Sequence, residues 1–506
     1  MRLEELLRDV IPVATSGDLS TVITALACDS RKVEPGTLFF ALKGSAVDGH
    51  RFIEQAIAAD AAAVILEDTA AAPTALPWIQ VREGRQAMAL MAARFYGEPT
   101  AHLPLVGITG TNGKTTTSYI VEGILAAAGI PSAVLGTVSY RFGDTTLEAS
   151  HTTPESIELQ ALFQKLAALG ASGFVMEVSS HALEQHRVDS CRFDIGLFTN
   201  LTRDHLDYHG DMEHYKQAKL RLFTELLQPD AVKPRRRAVI NLDDPAGPEF
   251  ASAAACPVVS YGLAPAADVT VRDLRSSLQG TSGLLVTPAG EQAFSSRLLG
   301  RYNLSNILAA AATACALDIP LQTIVQGIAS HKTVPGRLEP VANRRGVTCL
   351  VDYAHTGDAL ENVLKTLKEL TTGRIITVFG CGGDRDRGKR PIMGEIAARF
   401  SDLAIITSDN PRTENPMEIL EQIRSGILQN GLLEFYQNDL LHGLPEKGFI
   451  TVENRREAIR LGVRMSQTGD ILLLAGKGHE DYQILGRVKH HFDDREEAAA
   501  AFREQD

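Results

Sequence analysis

Short, unbroken apolar runs recur along the chain: Leu38 to Leu42, Ala62 to Leu66, Leu103 to Ile108, Phe174 to Met176, Ile195 to Phe198, Ala238 to Ile240, Ile375 to Phe379, Leu403 to Thr407 and Ile471 to Ala475. Runs of this length without polar alternation predict strands covered on both faces, as in parallel sheets flanked by helices. Segments of helical spacing lie between them. Ile53 to Ala59 is one; Ile120, Val121, Ile124 and Leu125 mark another, with Gly129 placed to close it; an alanine-rich stretch from Leu304 to Leu317 is a third. The pattern predicts an α/β fold with mostly parallel sheets. It breaks at Tyr96-Gly97-Glu98-Pro99-Thr100 and at Thr333-Val334-Pro335-Gly336-Arg337. Three domains are therefore expected: a small α/β domain over 1–99, a central α/β domain over 100–334 and a Rossmann-like α/β domain over 335–506. The charged end, Asp493 to Asp506, reads as a solvated tail.

Composition narrows the classes. With 506 residues, 44% hydrophobic and 22% charged, the chain has the balance of a globular protein with several cores. Its formal charge of −12 argues against a general nucleic-acid or membrane-surface binder, which needs a basic field. The six cysteines (Cys28, Cys191, Cys256, Cys315, Cys349, Cys381) show no metal-ligand spacing and read as reduced thiols. No apolar run approaches the roughly 20 residues of a spanning helix. The start lacks the apolar core of a signal peptide, so membrane insertion is not expected and the cytoplasm is the expected location.

The run ending at Ile108 leads into Gly110-Thr111-Asn112-Gly113-Lys114-Thr115-Thr116, followed by helical spacing. Strand, glycine-rich turn and helix N-terminus form a phosphate cradle: backbone N–H groups converge, Lys114 adds charge, and the Thr115 hydroxyl can ligate Mg²⁺. The central domain thus reads as a P-loop-type nucleotide-binding domain. The spacing departs from the usual phosphate loop, whose first glycine would fall at Ile108.

That loop resembles the Mur ligases and, less closely, the folylpolyglutamate synthases, and further motifs follow in the Mur ligase order along almost the whole chain. The resemblance implies ATP-dependent amide formation. A carboxylate lacks a leaving group, and ATP would supply one through an acyl phosphate, with Lys114 and Mg²⁺ neutralising charge on the moving phosphoryl group. Glu177, closing a strand in Met176-Glu177-Val178-Ser179-Ser180-His181, and His205, in Asn200-Leu201-Thr202-Arg203-Asp204-His205, would join Thr115 as metal ligands. On the residues alone they are equally a strand-end ion pair and a loop histidine. Lys219 lies in Tyr215-Lys216-Gln217-Ala218-Lys219, which alone reads as an amphipathic helix with solvated lysines. The resemblance makes Lys219 a carbamylated lysine, an anionic oxygen ligand. Asn303 and Asn306 in Tyr302-Asn303-Leu304-Ser305-Asn306, Arg337, and Asp352 and His355 in Asp352-Tyr353-Ala354-His355 would contact ATP.

The same resemblance assigns the substrate ends. A uridine nucleotide would meet Ser30, in Asp29-Ser30-Arg31, and Ser45, Ala46 and Val47. The muramoyl-dipeptide would meet His151, Thr152, Thr153, Ser179, Gln185 and Arg187; Arg187 suits a carboxylate, though a structural ion pair explains it equally. Asp409-Asn410-Pro411-Arg412 resembles the signature of the branch that adds meso-2,6-diaminopimelate to UDP-N-acetylmuramoyl-L-alanyl-D-glutamate. Arg412 and Arg385 would grip the distal carboxylate, and Glu480 and the Gly476 carbonyl would receive the ammonium. A lysine-adding Mur ligase and a folylpolyglutamate-synthase-like ligase are the alternatives, with an ATP-binding regulatory or motor protein without ligase chemistry as the rival from another class. Two positions depart from the family: Gly357 follows Thr356 where proline is usual, which leaves the course of that loop open, and His151 replaces a common asparagine. A monomer is expected, with closure of the last domain over the central one.

Overall fold

The computed structural model describes residues 1–44, 47–330, 333–440, 443–444 and 446–505. The chain divides into two compact units, one of residues 1–268 and 309–320, the other of 269–308 and 321–506.

The first unit holds two sheets. Strands β1 (Ala14–Ser16), β2 (Ala25–Ala27), β3 (Thr37–Ala41), β4 (Ala63–Leu66) and β5 (Trp78–Gln80) form a sheet in the order β1-β5-β4-β3-β2, parallel except for β1. Phe40, Ile65 and Ile79 point to one core, which Leu3, Met88 and Met91 complete; Phe39, Val64 and Leu66 point to the other with Ile53. A strand buried on both faces shows exactly such blunt apolar runs.

The larger sheet comprises β6 (Leu105–Thr109), β7 (Ser132–Leu135), β8 (Tyr140–Phe142), β9 (Thr145–Leu147), β10 (Gly173–Glu177), β11 (Ile195–Phe198), β12 (Arg237–Asn241) and β13 (Val258–Tyr261), in the order β13-β12-β11-β6-β10-β7-β8-β9. All pairs are parallel except those of the β8 and β9 edge. β6 lies between β11 and β10, so the chain leaves the sheet there with strands on both sides of its exit. Ligands of open α/β sheets bind in such crevices. The following helix, Lys114–Ala127, ends as the sequence predicts, with Gly129 at a left-handed φ of +74°.

In the second unit, β14 (Thr270–Ser277), β15 (Gly280–Thr287) and β16 (Gly290–Ser296) make an antiparallel meander. Seven further strands, β17 (Glu339–Val341), β18 (Thr348–Asp352), β19 (Ile375–Phe379), β20 (Leu403–Ile406), β21 (Leu433–Glu434), β22 (Gly448–Thr451) and β23 (Ile471–Ala475), follow the order β17-β18-β23-β19-β20-β22-β21. Only β17 is antiparallel. A hairpin, β24 (Tyr482–Leu485) and β25 (Val488–His491), precedes the last helix.

The tail expected to be solvated is that helix, Asp494–Arg503, and it is part of the core. Ala498, Ala501 and Phe502 pack beside Ile459 and Val463, and Asp494 is buried in a two-pronged pair with Arg455, at 2.7 and 2.6 Å. Other charges of the helix, such as Glu496 and Arg503, are exposed, which is why composition alone misreads it. Among the described residues no helix is long and apolar enough to cross a membrane.

Candidate active site

At the exit of β6, Gly110 takes φ +142° and Gly113 φ +87°, conformations that a β-carbon disfavours. Gly113 caps the helix Lys114–Ala127. Thr111 N–H donates to Asn200 O (2.9 Å) and Asn112 N–H to Asn200 Oδ1 (2.8 Å), while Thr199 Oγ1 and Asn200 Nδ2 donate to Asn112 O. The first half of the loop is therefore tied to the end of β11, and the helix N-terminus supplies the positive dipole for an anion. Gly107 belongs to the strand: a β-carbon there would press on the Phe193 ring.

Lys114 Nζ donates to the carbonyls of Gly110 and Thr111, both at 2.9 Å. Lys219 is not solvated. It is buried on the inner face of the helix Met212–Thr224, with Nζ 3.1 Å from Gly110 O and 4.4 Å from the centre of the Tyr215 ring. Burial, and then the charge of Lys114, hold its amine well below the usual lysine range. Thr115 and Thr116 are buried in the first turn.

Glu177 ends β10 beside Ile108 of β6. Its two oxygens accept from Thr137 N–H (3.0 Å) and Thr137 Oγ1 (2.9 Å), so it is a buried acceptor rather than half of an ion pair. Gly136 lets it approach, since a β-carbon there would strike Glu177 Oε1. His205, at φ +55°, opens the short helix Leu206–His209, with Nε2 3.4 Å from Asp204 Oδ2. Its proton affinity is lowered by burial; Asp204 opposes this, and Lys114 and Lys219 add to it. Its ring lies 5.0 Å from that of His181.

A polar path leads on from Glu177. Thr153 Oγ1 donates to Glu177 O (2.8 Å) and lies 3.4 Å from Ser179 Oγ, Thr152 Oγ1 is 3.1 Å from Thr137 Oγ1, and Ser179 caps the helix Ser180–Glu184. Arg187 is held by Thr153 O, by Gln185 Oε1 and by Glu155 Oε1 at 3.0 Å. Glu155, which the sequence pattern did not single out, also pairs with Arg85 of the N-terminal segment. His151 is exposed, its backbone held by the Tyr140 hydroxyl. Ser30 Oγ donates to Gln55 (3.0 Å) and Val47 is exposed; Ser45 and Ala46 lie outside the described residues.

The second unit holds the remaining candidates, most of them in loops that follow β18, β19, β20 and β23, with Asn303 in the helix Arg301–Ala316 and Arg337 just before β17. Asp352 Oδ2 accepts from Leu338 N–H (2.7 Å), and burial pushes its carboxyl up to about 6, against the pull of Arg337. The Arg337 guanidinium lies 5.0 Å over the Tyr353 ring. Asn303 donates to Leu299 O and accepts from Asn306. His355 Nδ1 is 2.8 Å from Tyr353 O. The break after it resolves cleanly: Thr356 caps the helix Gly357–Leu370, with its side chain accepting from Ala359 N–H, and Gly357 is the first helical residue.

Arg412 adopts φ +53°, and its backbone is pinned by Ile484 O and Gly486 N–H of the hairpin. Its Nη1 donates to Gly383 O (2.8 Å). A β-carbon on Gly382 would lie 2.9 Å from Arg412 Nη1 and 3.8 Å from Arg385 Cγ, so the two arginines flank one bare stretch of backbone. Asn410 Nδ2 donates to Glu480 Oε2 (2.9 Å), and the Asp409 carboxylate borders Gly476, whose φ is +111°. Pro411 completes the loop, its carbonyl accepting from Glu414 N–H. Beneath it, buried Arg390 grips Glu414 with both prongs (2.9 and 3.0 Å) and donates to Gly382 O, joining the Arg385 and Arg412 loops. Sequence reasoning missed Arg390, Lys477 and the hairpin.

Among the described residues no three His, Cys, Asp or Glu side chains converge as a metal cage. The donors near the phosphate loop are a carboxylate, an imidazole and the Thr115 hydroxyl, a set that suits a Mg²⁺ shared with phosphate oxygens and water.

The chain that builds a phosphate loop at a sheet crevice in one unit and a parallel sheet ending in charged loops in the other matches three family models. They are the Mur ligase family catalytic domain over residues 22–96, the Mur ligase middle domain over 108–314, and the Mur ligase glutamate ligase domain over 336–478. The chain belongs to the Mur ligase family. It is 61% identical over 504 residues to the UDP-N-acetylmuramoyl-L-alanyl-D-glutamate--2,6-diaminopimelate ligase of Geobacter metallireducens, covering 100% of this chain and 99% of that one. The protein of the same name from Geobacter sulfurreducens is 61% identical over 506 residues, with the same coverage. A solved structure of a ligase of that name superposes with a TM-score of 0.71 at 35% identity, covering 100% of this chain and 99% of its own.

Proposed function

We propose that this chain is an ATP-dependent amide-forming ligase that adds meso-2,6-diaminopimelate to UDP-N-acetylmuramoyl-L-alanyl-D-glutamate in peptidoglycan precursor synthesis, releasing ADP and phosphate. The observation that carries the choice of amine is the placing of Arg385 and Arg412 on either side of Gly382, with Asp409 and Glu480 close by. Paired guanidiniums beside paired carboxylates suit an amino acid with a second, zwitterionic end.

In this reading the loop 110–116 and Lys114 hold the ATP phosphates, joined by Asn303, Arg337, Asp352 and His355. Thr115, Glu177, His205 and carbamylated Lys219 would hold Mg²⁺, which neutralises charge during phosphoryl transfer. Lys219 is poised for carbamylation because CO₂ reacts with a neutral amine, the form that its burial favours. Ser30 and the segment 45–47 serve the uridine nucleotide. His151, Thr152, Thr153, Ser179, Gln185 and Arg187 serve the dipeptide, whose terminal carboxylate would compete with Glu155 for Arg187. The γ-phosphoryl passes to the D-glutamyl carboxylate that is to become the amide, and the incoming amine displaces phosphate from the acyl phosphate.

Phosphate release by the purified protein should require both the UDP-dipeptide and an amino acid, with diaminopimelate preferred over L-lysine by about a hundredfold or more in kcat/KM, since lysine leaves the arginines unpaired. Equal use of both would overturn the amine assignment, and phosphate release indifferent to either would overturn the ligase reading.

A further inference from the structure

The segment 476–480 carries a charged group that neither the sequence motif nor the proposed reaction uses. Lys477 is fully buried, and its Nζ lies 3.5 Å from Asp409 Oδ1, 3.4 Å from Asn410 Oδ1 and 3.4 Å from Glu480 Oε2. The Tyr482 ring is 5.6 Å away.

A lysine buried only to brace the fold is expected in a matched pair, because an unbalanced buried charge is costly. The same unit contains such a pair: Arg455 and Asp494, one cation and one carboxylate, meet at 2.6 and 2.7 Å. Around Lys477 the count differs. One ammonium is shared by two carboxylates, every contact is long, and one negative charge is left over. A second ammonium would balance the cluster. The loop that holds it, Asp409 to Arg412, carries the guanidinium beside Gly382.

We infer that Lys477 is a positioning and specificity-determining residue for the amine substrate: it holds Asp409, Asn410 and Glu480 together while leaving one carboxylate charge for the ammonium of the incoming amino acid. This rests on the reading of the Asp409 to Arg412 loop as the amine site.

The groups facing Glu480 define its titration. Burial and then the Asp409 charge push its carboxyl up; Lys477 pulls it down by charge and hydrogen bond, and Asn410 by hydrogen bond. The phenols of Tyr353 and Tyr482 and the guanidinium of Arg455 face the same space. Removing the Lys477 charge therefore raises Glu480 further, and its ionised form appears only at higher pH.

The test uses the full chain carrying Lys477→Met or Lys477→Gln, the latter keeping a hydrogen-bond donor without the charge. Steady-state ligation is measured from pH 6 to 9 beside thermal melting. The expected result is a KM for diaminopimelate raised about tenfold or more near neutral pH, KM for ATP and for the UDP-dipeptide within about twofold of wild type, and an acid limb of kcat/KM for the amine moved up by about one pH unit, so that the deficit shrinks at pH 9. An unchanged amine KM, a loss constant across pH, or a loss shared equally by ATP would overturn the inference. So would failure of both variants to fold, which makes Lys477 a bracing residue. Wild-type turnover with another amino acid in place of diaminopimelate would instead defeat the proposed substrate, and the Lys477 test would then be run with that amino acid.

Discussion

Lys114 and Lys219 direct their amines at one acceptor, the carbonyl oxygen of Gly110, at 2.9 and 3.1 Å. Two ammonium ions at one carbonyl repel, and the more buried one yields its proton more easily. A neutral amine is the form that reacts with CO₂, so on the proposed reading Lys219 would become a carbamate, an anion beside the phosphate loop. Lys219→Ala should lower kcat by about a hundredfold or more, the scale of a lost electrostatic group at the reacting centre. Acetate or formate should restore part of the rate, and stripping CO₂ should slow only the wild type. A variant with full activity and no bicarbonate dependence would refute the carbamate.

Gly110→Ala tests the loop itself. Its β-carbon would collide with Thr199 Oγ1, which holds Asn112 O at 2.7 Å, and the φ of +142° is hostile to alanine. A loss of about 2–4 kcal/mol in unfolding stability, together with lost nucleotide binding, is expected. Gly129→Ala, with open space around its β-carbon and φ +74°, should cost only about 1–2 kcal/mol and leave binding intact. Calorimetry with and without nucleotide separates the two.

The Arg390–Glu414 clasp has an acid signature. Hydrogen bonding to Arg390 draws the Glu414 carboxyl from an ordinary 4.5 down to about 2, partly opposed by desolvation. A depressed carboxylate stabilises the fold above its unfolded value, and that stabilisation drains away as pH falls through the folded value. Melting temperature should therefore decline between about pH 5 and pH 2, and Glu414→Gln should flatten that part of the curve while lowering stability at neutral pH. Parallel curves for the two proteins would show that the clasp does not titrate there.

Gly357→Pro should stabilise the protein by about 0.5–1 kcal/mol. Thr356 already adopts the extended backbone (φ −121°, ψ 160°) that a following proline demands, and Gly357 is the first helical residue, where proline fits. The closest neighbour of a β-carbon there is Ile392 Cγ2 at 3.0 Å, on an exposed side chain that can move aside. A fall in denaturation midpoint would mean that it cannot.

Residues that act along the chain were legible; residues that act across it were not. The apolar runs marked β3, β4, β6, β10, β11, β12, β19, β20 and β23 because a doubly covered strand must be apolar throughout, and Gly129 marked a helix end because a left-handed turn favours glycine. The β14 to β16 meander escaped notice because one of its faces is wet and its strands are polar, as with Arg272, Asp273 and Arg275. Lys219 looked solvated because its helix is amphipathic with polar residues on both sides, and only the fold reveals that position 219 faces Gly110. Arg187 was open between a ligand and an ion pair because its partner, Glu155, lies on a different element. Lys477 and Arg390 matter through neighbours far away in sequence, which no local pattern records.

The strand order of the last large sheet bears on how the chain reaches its shape. β23, residues 471–475, fills the slot between β18, residues 348–352, and β19, residues 375–379. The two strands made first cannot pair with each other in the finished sheet, so their facing edges wait open until a much later segment threads between them. Until then each is an unprotected edge offering hydrogen bonds to any other strand. This slot cannot be filled before residues 471–475 have been made, and during synthesis its two edges are where a shielding chaperone would have most to cover.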